Sequence, residues 1–101
     1  MCRIPKVIVV APDDVGAEAR RKLSSLDYEI VAVVTSAADA RGVKADVAVI
    51  WDPDEDDVAR LRELSLKTVA VGGRASSADM SLTPEEAASF KERIWELFRP
   101  R

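Results

Sequence analysis

The sequence predicts an α/β domain, a three-layer sandwich built on a four-stranded parallel sheet with helices on both faces. Three observations carry this. Four short runs rich in Val and Ile, "KVIVV" (6–10), "EIVAVV" (29–34), "DVAVI" (46–50) and "TVAVGG" (68–73), are apolar without clean alternation, as expected of strands covered on both faces. Helix-like stretches separate them, giving β-α-β-α-β-α-β-α, the order of a parallel sheet joined by right-handed crossovers. A chain of 101 residues, 48% hydrophobic and 33% charged, fits one soluble domain over 1–101 with a modest core.

Each intervening segment has its own signal. "VGAEARRKLSSL" sets Val15, Ala19, Leu23 and Leu26 on one helical face and keeps Glu18, Arg20, Arg21 and Lys22 mostly off it. The link "SAADARGVK" (36–44) is too short for more than two turns. "DEDDVARLRELS" spaces Val58, Leu61 and Leu64 by three residues. "GGRASSADMS" (72–81), rich in Gly and Ser, reads as a loop. In "LTPEEAASFKERIWELF" Thr83 can cap, Pro84 suits the first helical position and Glu86 completes a capping box. Ala87, Phe90, Ile94, Leu97 and Phe98 then form one apolar stripe, with Trp95 about 100° or more from its centre.

Composition excludes several kinds of chemistry. The chain has no His, Asn or Gln and a single cysteine, Cys2. That removes the usual general base, the Ser-His and Cys-His pairs, Cys-rich zinc sites and an internal disulfide framework. Net charge is -3 and the basic residues are scattered, so there is no stripe to neutralise nucleic-acid phosphates. No apolar run approaches the roughly 20 residues of a membrane span. The opening "MCRIPK" runs straight into a strand, and a cytoplasmic location is expected. Ten Arg against five Lys, with the missing amides, fits a heat-adapted or a designed sequence.

Ligands of such sheets bind beyond the carboxyl ends of the strands. Acids follow the first strand in "APDDVG" and the third in "WDPDEDD". If those strands are neighbours, Asp13, Asp14, Asp52 and Asp54 can converge on a hard cation such as Mg²⁺. The competing reading makes Asp14 and Asp54 N-caps, and puts Glu55, Asp56 and Asp57 in a first turn where they meet the positive end of the helix dipole. Asp52 alone is left without a role by capping. Gly16 stands where a dinucleotide-binding turn places its last glycine, but Ala11 and Asp13 occupy the earlier positions. Gly72, Gly73 and Arg74, with Ser76 and Ser77, offer amides and donors to an anion, or make a plain loop. Trp51, Trp95 and Phe98 are candidate contact residues for a protein partner or a second copy of the chain.

The run from Lys6 to Gly73 resembles a response-regulator receiver domain. "KVIVVAPDD" matches its first strand and acidic pair, "LDYEIVAV" its second strand, and "ADVAVIWD" the third strand that ends at the phosphorylated aspartate. The resemblance implies strand order 2-1-3-4 and a regulatory module that binds a protein partner. Trp51 occupies the acceptor position with Asp52 one residue later, and the family's fifth strand with its lysine is not evident. "VIWDPDEDD" by itself is similar to the Asp-Pro-Asp segment of Toprim domains, which implies Asp52 and Asp54 as a metal pair for phosphoryl transfer. Ala11 stands where that family needs a glutamate. The stretch 45–73 also looks like the second half of a Rossmann-like nucleotide- or CoA-binding domain, which implies a ligand over Ala11 to Gly16 and Gly72–Gly73. The expected function is a non-catalytic regulatory or protein-interaction module with weak Mg²⁺ binding at most. A nucleotide- or CoA-binding domain and a Toprim-like enzyme are the alternatives.

Overall fold

The computed structural model describes residues 5–23, 28–40, 42–64, 66–72 and 78–94. The strands are β1 (Lys6–Val10), β2 (Glu29–Val34), β3 (Val47–Trp51), β4 (Lys67–Val71) and β5 (Met80–Leu82), and the α-helices are α1 (Asp13–Leu23), α2 (Glu55–Glu63) and α3 (Phe90–Arg93). All pairings are parallel and the sheet order is β2-β1-β3-β4-β5. The α/β class, the parallel sheet and the order of the first four strands match the sequence reading.

The sheet has five strands, not four. The fifth, Met80–Leu82, begins in the stretch read as a loop, 72–81, and ends one residue beyond it. It is three residues long, with Met80 and Leu82 buried and Ser81 exposed, too short to stand out by periodicity. Its place is fixed by backbone bonds: the Gly72 amide donates to the Leu82 carbonyl at 2.7 Å and the Asp79 amide to the Thr68 carbonyl at 2.9 Å.

Helical cover lies on both faces. Val7 and Val9 of β1 join α1 (Ala19, Leu23), Tyr28 and the C-terminal segment (Ala87, Phe90, Ile94) in one cluster. Ile8 and Val10 join Ala40 and Leu61 in the other. The chain winds left from β1 under one layer and right from β3 under the other, so both crossovers have one hand. Phe90 is fully buried and meets Tyr28 edge-on, with centroids 5.3 Å apart. Such a pair adds about 0.5–1.5 kcal/mol beyond its area. The Tyr28 hydroxyl donates to the Leu23 carbonyl, so the buried ring does not leave its polar end unpaired.

Two stretches wind more tightly than an α-helix. The link after β2 forms one 3₁₀ turn, Ala37–Ala40, within the two turns its length allows. The final segment begins as a 3₁₀ helix over Pro84–Ser89 and becomes α-helical at Phe90, where the sequence pattern suggested one helix throughout. Its capping box forms as expected: Glu86 donates its amide to Thr83 Oγ1, and Thr83 donates its own to Glu86 Oε1. A 3₁₀ start is a common way to satisfy the first amides of a helix.

Two aspartates that the pattern did not single out tie the strands together at their amino ends. Asp46, just before β3, accepts the Lys6 amide on Oδ2 at 2.9 Å and returns its own amide to the Lys6 carbonyl at 2.8 Å. Asp79, just before β5, does the same with Thr68: Oδ2 accepts the amide at 2.9 Å and the Asp79 amide donates back at 2.9 Å. Each clasp fixes where a strand joins its neighbour and so sets the register. Asp79→Ala would leave the part-buried Thr68 amide without its acceptor. It is expected to lower the unfolding free energy by about 1–3 kcal/mol, read by urea denaturation. An unchanged midpoint would mean that the clasp contributes nothing to stability.

Candidate functional site

The winding reverses between β1 and β3, which pair directly from Val7↔Val47 to Val10↔Ile50. The acids after these strands therefore emerge at the same end of the sheet. They do not gather there: among the described residues no three His, Cys, Asp or Glu side chains stand close enough to hold a metal ion. The local backbone explains why. After β1, Pro12 starts the helix at once, its carbonyl accepting from the amides of Val15 and Gly16 at 2.9 and 2.8 Å. This carries Asp13 and Asp14 into the first turn of α1, both exposed. Asp14 is thus a first-turn acid and not the N-cap expected of it, because the helix begins two residues earlier, at Asp13.

After β3 the cap is the one the sequence indicated. Asp54 is the N-cap of α2. Its Oδ1 accepts the Asp57 amide at 2.8 Å, and Asp57 accepts the Asp54 amide at 3.4 Å. Asp52 is explained by its backbone. It has φ +50, the one non-glycine residue with positive φ among the described residues, and its amide donates to the Val71 carbonyl at 2.8 Å. A short polar side chain tolerates this left-handed turn better than most. The turn lets the chain leave β3 still paired to β4 and enter buried Pro53. Trp51 is half-buried and packs against the α1-side core, at the rim of the fold. Gly72 (φ +73) spends its amide on β5 and faces Pro84. Gly73, Arg74, Trp95 and Phe98 lie outside the described residues, as do Ser76 and Ser77.

A cleft of about 340 Å³ opens to one side of the reversal point, between α1 and β2. Its helix wall is Asp13, Gly16, Ala17 and Arg20, an i, i+3, i+4, i+7 stripe with small residues between two opposite charges. The other wall is Val33, Val34 and Thr35. Gly16 therefore does line a cavity, but its evident role is packing. A Cβ there would stand 3.3 Å from Val33 Cγ1, so glycine lets α1 lie close to β2.

Beside the cleft runs the feature that sequence reasoning missed. Among the described residues β2 pairs with β1 alone and ends the sheet. None of its six residues is buried, and Val31 and Val33, each 37% exposed, are the exposed large hydrophobic residues of the described structure. Native edges are usually blunted by lysine, proline or short length. This one is six residues long with Glu29 as its one charge. Strand order 2-1-3-4 with a short link after β2 is the signal that points to it, since such a link cannot carry a helix long enough to cover that strand.

Two substitutions test the backbone account. Asp52→Gly is expected to be at least as stable as the natural chain, because glycine adopts positive φ freely. Asp52→Val should lose about 1–3 kcal/mol in the same denaturation assay; equal stabilities would remove the left-handed constraint. Gly16→Ala sets up to about 1 kcal/mol of helix propensity against the contact with Val33. Val33 is half-free at the edge and can shift by a few tenths of an ångström, so a higher melting temperature is expected. A lower one would show that Val33 is held firmly.

No helix among the described residues is long and apolar enough to cross a membrane. Comparisons with protein-family models, with curated proteins and with solved structures give no match to this chain, and the likenesses to receiver, Toprim and Rossmann-like domains rest on the quoted residues alone.

Proposed function

We propose that the chain is a non-catalytic, regulatory protein-interaction module that takes an extended segment of a protein partner along the free edge of β2. The observation that carries this is the edge itself: five β-branched or small residues and one charge, Glu29, unpaired on the outer side among the described residues and exposing Val31 and Val33. Strand addition to such an edge draws affinity from main-chain hydrogen bonds and specificity from pockets for alternate side chains. The α1–β2 cleft lies where a side chain of the added strand, facing α1, would enter. Its small floor accepts an apolar group, while Asp13 and Arg20 select charge at the two ends, about 10 Å apart along the helix.

The alternatives have less support. Asp13 in the cleft opposes a phosphate-bearing ligand such as a nucleotide or CoA. Asp54, which a Toprim-like site would need for metal, is engaged in the capping box of α2. Trp51 in place of a receiver's phosphate acceptor favours a module that works by contact rather than by phosphorylation.

The test uses peptides selected against the protein from a random display library, with binding mapped by amide chemical shifts. Shifts are expected at residues 29–34 and along the Ala17–Arg20 side of α1, and Val33→Lys should weaken binding by at least about tenfold without lowering the melting temperature. Peptides that bind but map to another surface, with affinity indifferent to Val33→Lys, would overturn the reading.

A further inference from the structure

The occupant of this edge can be narrowed by the register of β2, on the reading that β2 is a docking edge. Val7 pairs with Ile30 and Val9 with Val33, but Ile8 pairs with Ala32, so β2 carries one extra residue, Val31. The consequence is a change of facing. Ile30 packs in the α1-side cluster, and Val33 lies against Gly16 of the same helix. Residues 30 and 33 thus share a face, whereas strict alternation would set them on opposite faces. Val34 packs on the α2 side. Glu29 pairs with Lys6, which neighbours α1-facing Val7, and so belongs to the α2 side as well.

The outer positions of β2 therefore present the same sequence of faces in either direction. α2-side residues stand at both ends (29 and 34), with α1-side residues just inside them (30 and 33). An antiparallel pairing about a twofold axis between Val31 and Ala32 sets Ile30 opposite Val33 and Glu29 opposite Val34 of the second copy, and every such pair meets on a common face. Without the bulge the same register would oppose inward and outward side chains.

Charge fits this arrangement. Glu29 is the one charged residue of β2, and the twofold holds the two copies of it five residues apart, about 17 Å along the strand and beyond the screening length of about 8 Å at physiological salt. A parallel, in-register pairing would bring them side by side.

We infer that β2 docks on β2 of a second copy of this chain, antiparallel and about a twofold axis at Val31–Ala32, to form one continuous ten-stranded sheet. A bulge is also a means of blunting an edge, and the oligomeric state decides which purpose this one serves. An interface made mainly of one strand pair is small, so a dissociation constant on the order of micromolar is expected.

The experiment is sedimentation velocity of the full chain from about 1 µM to about 1 mM, with amide hydrogen exchange at both extremes. The expected result is a monomer–dimer equilibrium in which amides of residues 30–34 gain protection with concentration. Val31→Lys, which sets a lysine beside the axis in each copy, should weaken dimerisation at least about tenfold with an unchanged melting temperature at low concentration. A natural chain that stays monomeric throughout overturns the second-copy inference and leaves the docking edge to the peptide test. A dimer that survives Val31→Lys, with residues 30–34 unprotected, is formed through another face and likewise overturns the second-copy inference, while the docking edge stands or falls by the peptide test.

Discussion

The fold depends on β1 being apolar on both faces. Val7, Ile8 and Val9 are wholly buried and Val10 and Ala11 nearly so, in a run that offers no polar face to water. Such a strand is stable only at the centre of a sheet with cover above and below. The rest follows from that need. β2 and β3 must pair on either side of it, one layer must supply Ala19, Leu23 and Phe90, and the other must supply Leu61 and Ala40. The two directions of winding, and hence the reversal between β1 and β3, are the way a single chain meets both demands with crossovers of one hand.

Five aspartates of this chain serve to place backbone or close a turn. Asp54 and Asp57 close a capping box, Asp46 and Asp79 clasp neighbouring strands at their amino ends, and Asp39 accepts from the hydroxyls of Thr35 and Ser36 to close the 3₁₀ turn. With no Asn or Gln in the sequence, aspartate is the one short side chain with a trigonal oxygen pair available for these positions. A density of carboxylates that looks like a metal site on paper is then spread over several local backbone tasks.

How much of this was legible follows from which forces act locally. The four longer strands, α2 with its cap, and the Thr83–Glu86 box were readable because burial on two faces and capping leave residue-level signatures. β5 was not, since three residues carry no period and its place is set by the Asp79 clasp and the Gly72 amide across the chain. The start of α1 lies two residues before the expected one. Asp14 is the better capping residue by type, but Pro12 fixes the turn two residues earlier. At the candidate site, Gly16 stood out in the sequence as a turn glycine, whereas its close approach to Val33 is a contact between segments that no local pattern records. The open edge needs two signals taken together, strand order 2-1-3-4 and the short link that follows, because "EIVAVV" by itself reads like any buried strand.

That edge is a consequence of economy elsewhere in the chain. α1 has eleven residues and lies close to β2 at Gly16, where a Cβ would meet Val33 at 3.3 Å. On the other face the connection from β2 to β3 carries one 3₁₀ turn of four residues, which leaves Val34 partly covered. A doubly wound sheet built at this length thus runs out of cover at β2 first. Such an edge could be blunted with lysine at the exposed positions 31 and 33. It keeps valine at both, and that composition suits an edge that is completed by pairing.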